Sequence, residues 1–97
     1  MNNFRISLAQ INTTVGDLDL NTEKIISNIE LAKSQDSDLV IFPELSITGY
    51  PPEDLLLKPQ FIQDNIIQLE KIIPVTEKIS AIIGFVDANQ IYLILQR

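Results

Sequence analysis

Apolar and polar positions change period several times along the chain. Residues 4–9, Phe-Arg-Ile-Ser-Leu-Ala, alternate, which predicts a half-buried strand. Residues 12–19 hold Gly16 and short polar side chains and read as a loop. Beyond them the period lengthens. Ile25, Ile26, Ile29 and Ala32 recur at helical spacing, with Leu31 at the stripe's edge and Lys24, Asn28 and Glu30 on the wetter side. Asn21 is expected to cap this helix, with Glu23 in its first turn to suit the helix dipole. The helix should fade in residues 34–37, a run of weak helix formers.

Residues 38–42, Asp-Leu-Val-Ile-Phe, form a short and nearly continuous apolar run, the pattern of a strand covered on both faces. Pro43 has no N–H for a ladder, so regular pairing should stop there. Pro52 followed by Glu53 and Asp54 suits the first turn of a short helix, which Lys58-Pro59 interrupts. A second helix then carries Phe61, Ile62, Ile66, Leu69, Ile72 and Ile73 on one side, and Pro74 ends or kinks it. Residues 79–86 are a further apolar strand, residues 87–90 (Asp-Ala-Asn-Gln) supply turn chemistry, and residues 91–95 are its hairpin partner. Gly84 marks close packing or a bulge in that strand. The order is β-α-β-(α)-α-β-β. A helical crossover implies that the first two strands are parallel, and the hairpin makes the last two antiparallel. An α/β layered fold with a mixed sheet follows. A last strand running to the chain end leaves an uncovered sheet edge. The two helices cover one face of the sheet, so the sequence reads as the opening half of something larger, with marginal stability and bare apolar surface.

Composition narrows the chemistry. Ninety-seven residues suit one small domain, and 45% hydrophobic with 21% charged residues is a globular balance. The net charge of −6, with scattered basic residues, argues against nucleic acid and anionic membranes as partners. Lys58, Lys71 and Lys78 read as solvated helix charges. Neither cysteine nor histidine occurs. That excludes disulfides, zinc sites on the usual ligands, a thiol nucleophile, a catalytic imidazole and a Ser-His-Asp triad within these residues. No apolar run reaches the length of a spanning helix and the start carries no secretory pattern, so a cytoplasmic location is expected.

The segment Phe-Pro-Glu-Leu-Ser-Ile-Thr-Gly-Tyr, residues 42–50, places Glu44 at the end of an apolar strand. From position alone Glu44 is either a solvated loop residue or a carboxylate held for chemistry. Strand carboxyl ends in layered α/β sheets are where clefts open, and partial desolvation there makes a carboxylate a better base. Gly49 permits a turn that a side chain would forbid, and Pro51 holds Tyr50 extended and stiffens the loop. Tyr50 alone reads as an amphipathic rim residue. Glu53 and Asp54 read as helix-start charges. Without histidine or a larger carboxylate cluster, no metal is expected.

The stretch Asp-Leu-Val-Ile-Phe-Pro-Glu-Leu-Ser-Ile-Thr-Gly-Tyr-Pro-Pro-Glu-Asp-Leu-Leu resembles the nitrilase superfamily, the carbon–nitrogen hydrolases. With its continuation Leu-Lys-Pro-Gln-Phe it is similar, more narrowly, to the glutaminase domains of glutamine-dependent NAD+ synthetases. The opening Ile-Ser-Leu-Ala-Gln-Ile-Asn-Thr-Thr-Val-Gly-Asp-Leu-Asp-Leu-Asn-Thr-Glu-Lys-Ile also resembles the start of those domains, and the likeness runs from about residue 6 to residue 91. The resemblance implies an α-β-β-α sandwich and amide hydrolysis through a Glu-Lys-Cys triad. Glu44 would be the general base, the lysine would support the oxyanion, and the cysteine would carry a glutamyl thioester. Tyr50 would lie near the bound amide. Ammonia from glutamine would pass to a synthetase domain that amidates nicotinic acid adenine dinucleotide with ATP.

Against that pattern the 97 residues lack the cysteine, and none of the five lysines matches the family lysine. The chain is therefore expected to be the N-terminal portion of such a glutaminase domain, without the synthetase domain and inactive alone. No cofactor is expected in this portion; ATP and nicotinic acid adenine dinucleotide would belong to the synthetase domain. The other reading is a non-catalytic α/β module that self-associates through its exposed sheet edge or face, or complements a separate chain.

Overall fold

The computed structural model describes residues 3–87 and, for the backbone, 90–96. In chain order the elements are β1 (Ile6–Leu8), α1 (Leu18–Ser34), β2 (Leu39–Ile41), a 3₁₀ turn (Glu53–Leu57), α2 (Pro59–Ile72), a second 3₁₀ turn (Ile73–Thr76), β3 (Ser80–Asp87) and β4 (Gln90–Gln96). The strands form one mixed sheet in the order β1-β2-β3-β4. β1, β2 and β3 are parallel, and β4 runs antiparallel to β3. The α/β mixed sheet expected from the period changes is present. The expected turn residues Ala88 and Asn89 lie outside the described residues.

Helix α1 begins four residues earlier than expected, and Asn21 is not its cap. Asp17 is: its Oδ1 accepts from the Leu20 N–H at 3.2 Å. Gly16, at φ +84°, turns the chain into this cap. The helix ends at Ser34, inside the run of weak formers. At that end the Arg5 guanidinium donates to the Gln35 carbonyl at 2.6 Å, and a cation suits a helix C-terminus. Pro59 occupies the first position of α2, where its missing N–H matters least. Pro74 falls in the 3₁₀ turn that closes α2.

Both helices pack on one face of the sheet. Ile25, Ile29 and Ala32 of α1 and Leu69 and Ile72 of α2 are buried against Val40, Ala81 and Ile83. The buried side of α2 also carries Asn65 and Gln68, which hydropathy alone passes over. Asn65 braces the end of β3. Its Oδ1 accepts from the Val86 N–H at 3.1 Å, and its Nδ2 donates to the Val86 carbonyl at 2.7 Å. Gln68 donates to Asp19 at 3.0 Å and ties α2 to α1. Gly84 is buried and faces Leu93 in unbroken register, so it marks no bulge.

Over β1, β2 and the start of β3 the other face is open, whereas Val86 further along β3 is fully buried with Leu45 and Ile62. Register aligns Ile6 with Leu39 and Ser80, and Leu8 with Ile41 and Ile82. Aligned residues share a face, so Phe4, Ile6 and Leu8 stand on the side away from the helices. They are 68%, 50% and 69% exposed. The alternation of β1 is real, but its apolar set is the exposed one. Ser7 faces the helix side, where its hydroxyl hydrogen-bonds Ser37.

Candidate functional site

After β2 the chain makes one more ladder bond, from the Phe42 N–H to the Ile82 carbonyl at 3.2 Å. Pro43 then stops the strand, as its missing donor requires. Residues 45–49 fold into a turn in which all five are buried. Leu45, Ser46, Ile47 and Thr48 are fully so. A buried turn must satisfy its polar groups internally, and this one does. The Ser46 hydroxyl donates to the Pro43 carbonyl at 2.7 Å, the Gly49 N–H to the Leu45 carbonyl at 2.9 Å, and the Thr48 hydroxyl to the Gly49 carbonyl at 2.9 Å. The apolar members anchor the turn from two sides. Ile47 joins the helix-side core, and Leu45 packs with Ile62 and Val86.

Leu45 has φ +50°. A bulky side chain in the left-handed region is uncommon and unfavourable, and it persists only where surrounding structure holds it. Gly49, at φ +81°, closes the other end. A Cβ there would sit 2.6 Å from Val15 Cα, so only glycine allows the loop of residues 12–17 to lie against the turn.

Glu44 and Tyr50 stand at the two ends of this buried turn, and both are exposed. Tyr50 is 59% exposed and is joined to Pro51 by a cis peptide bond. The expected partial desolvation of Glu44 is not supplied by the described residues. Among the described residues no element covers the start of the turn, and the carboxylate accepts no hydrogen bond from them. The turn therefore fixes the backbone of Glu44 without enclosing its side chain. Glu53 and Asp54 form the exposed acidic start of the first 3₁₀ turn.

Two further residues shape the site, Asn21 and Gly16. Asn21 Nδ2 donates to the Ile47 carbonyl at 3.0 Å, and the Gly16 N–H donates to the Thr48 carbonyl at 2.9 Å. The sequence offers one weak signal for Asn21. It is polar, yet it lies on the helical stripe of Ile25 and Ile29, four residues ahead of Ile25.

Residues 5–95 match the profile of the carbon–nitrogen hydrolase family. The chain is 39% identical over 92 residues to the glutamine-dependent NAD(+) synthetase of Thermotoga maritima, a match that covers 93% of this chain and 16% of that enzyme. The crystal structure of a glutamine-dependent NAD(+) synthetase from Cytophaga hutchinsonii superimposes with a TM-score of 0.87 at 31% identity, over 97% of this chain and 17% of that one. An amidase from Nesterenkonia sp. shares the fold, with a TM-score of 0.77 at 21% identity over 95% of this chain and 37% of that one. The chain thus spans about a sixth of the length of the synthetases it matches. With the profile running over nearly all of its residues and the Pro-Glu turn in place at the end of β2, the chain belongs to the carbon–nitrogen hydrolase family.

Proposed function

We propose that this chain forms the N-terminal portion of the glutaminase domain of a glutamine-dependent NAD+ synthetase, and that Glu44 is the general base of its amide hydrolysis. The observation that carries the reading is the turn after β2: a left-handed, fully buried Leu45 locks the backbone directly behind an exposed glutamate. Strain of this kind concentrates at functional sites. The exposure of Glu44 fits a base whose nucleophile comes from outside these residues, since they contain no cysteine. In such a domain Glu44 would take the proton of a thiol, the thiolate would attack the glutamine side-chain amide carbon, and the carboxyl would return the proton to the departing nitrogen, so that ammonia leaves and a glutamyl thioester remains. Tyr50, at the far end of the same turn, would border the amide pocket. ATP and nicotinic acid adenine dinucleotide would bind the synthetase portion. The setting proposed for this work is the cytoplasm; among the described residues no helix is long and apolar enough to cross a membrane.

The test is a chimera in which this chain replaces the matching 92-residue segment of the Thermotoga maritima synthetase. Glutamine hydrolysis should survive the exchange, and Glu44→Gln should lower kcat by about 10²–10⁴-fold. The chain alone should release no ammonia from glutamine. A Glu44→Gln chimera as active as its parent would refute the assignment.

The open sheet face favours a second reading, a module that associates through Phe4, Ile6 and Leu8, because contiguous exposed apolar surface drives association. Size-exclusion chromatography over a range of concentrations separates the two. A monomer at every concentration rules the module out.

A further inference from the structure

We infer that Asn21 is a positioning residue for the Glu44 turn, acting through the amide chemistry of its side chain and not through its volume; this rests on the reading of Glu44 as base. Asn21 is fully buried in the first turn of α1. All three hydrogen-bonding directions of its amide that the structure records go to two loops. Oδ1 accepts from the Thr14 N–H at 2.8 Å, and Nδ2 donates to the Thr14 carbonyl at 2.8 Å and to the Ile47 carbonyl at 3.0 Å. The amide thus meets Thr14 as a neighbouring strand would and holds the motif turn three residues after Glu44. The Gly16 N–H bond to the Thr48 carbonyl and the close approach of Gly49 to Val15 complete the same seam. A turn containing a left-handed leucine has a relaxed alternative, and the seam is the outside restraint that opposes it.

Leucine at position 21 would fill the space but leave the Thr14 N–H and the Ile47 carbonyl without their partner, while the Thr14 carbonyl keeps the Asp17 N–H at 3.1 Å. Aspartate would keep the acceptor for Thr14, lose both donors, and set a carboxylate against two carbonyl oxygens. Protonation would return one donor, because hydrogen bonding of this kind favours the neutral acid.

Amide hydrogen exchange on the full chain tests the inference for wild type, Asn21→Leu, Asn21→Asp and Gly49→Ala. Protection at Gly16 and Gly49 should fall about tenfold or more in all three variants, while Ala81 and Ile83 in β3 keep theirs. In Asn21→Asp alone it should recover in part as the pH is lowered through the carboxyl's titration. Gly49→Ala opens the seam from the other side with Asn21 intact. It should expose the same amides, which keeps the test decisive should Asn21→Leu fail to fold. Three results would overturn the inference: unchanged protection at Gly16 and Gly49 in Asn21→Asp, an equal loss at β3, or no protection at Gly16 in wild type. None of these readouts depends on catalysis, so a failed Glu44→Gln chimera and a failed seam are told apart.

Discussion

The two faces of the sheet are made by the same short strands and are treated in opposite ways. On the helix side, Val40 and Ala81 are fully buried, and Ile25, Ile29 and Ile72 close over them. On the other side, Leu39, Ile41 and Ile82 are only half-buried, and Phe4, Ile6 and Leu8 are more exposed still. Yet the open side is no less apolar. Side chains of that kind contribute about 1.5–3 kcal/mol each when fully buried, so these strands have the composition of a sheet covered on both faces. The contrast teaches that the chain's own stability comes from one face. The other is a surface whose contribution depends on what covers it.

The sharpest way to break the comparison is to make equal cuts on the two faces. Ile29→Ala, in the covered core, should destabilise the chain by about 2–5 kcal/mol, a large share of the roughly 5–15 kcal/mol that folded domains possess. Leu8→Ala on the open face should change it by about 0.5 kcal/mol or less. Urea unfolding with a shared m-value measures both. Comparable losses would mean that the open face is covered in solution.

Much of this was legible in the residues. Ile25, Ile29 and Ala32 predict α1 and Pro43 predicts the end of β2; the run at residues 38–42 predicts the strand itself but with cover on both faces, whereas Leu39 and Ile41 are only half-buried on the open side. The alternation at residues 4–9 gave a strand but not the side it presents, because period 2 states only that one face is apolar. The register with Val40 and Ala81, a tertiary fact, decides that Ser7 turns toward the helices. The sequence does not place the start of α1, because Asn21 and Asp17 are both good caps. What took Asn21 away was Ile47, twenty-six residues distant and invisible to any local rule. Glu44 is singled out by its motif. Its exposure was not foreseen, because expected burial assumed neighbours that these residues do not supply.

A middle-sized effect belongs to the polar brace within the covered layer. Asn65→Ala removes both contacts to Val86 and leaves a buried N–H and carbonyl unpaired. That should destabilise by about 1–3 kcal/mol, more than any single apolar truncation on the open face. Thermal or urea unfolding checks it. A smaller loss would show that the end of β3 is held by its pairing with β4 alone.

The open face should show itself in association before it shows in stability. Leu8→Thr keeps β-propensity, since threonine is a good strand residue, and removes apolar area from the exposed patch. Any concentration-dependent growth in size should shrink, while the unfolding midpoint of the dilute chain stays within about 0.5 kcal/mol. If association persists unchanged, its origin lies elsewhere, with the β1 edge as the next place to examine.

The smallest change in stability should come from the residue of greatest functional interest. Glu44 is exposed and its carboxylate has no partner among the described residues. Glu44→Gln should therefore leave unfolding of the chain within about 0.5 kcal/mol of wild type. The turn beneath it is different. Leu45, Ile47 and Thr48 are buried, and Leu45 sits in a conformation that the chain would not choose unaided. A residue that contributes almost nothing to folding, set on a turn whose geometry is unfavourable to folding, is the pattern of a group kept for chemistry. The opposite outcome would be informative. A substantial destabilisation by Glu44→Gln would give the carboxylate a structural partner in solution and remove the reason for reading the turn as a mount for a base.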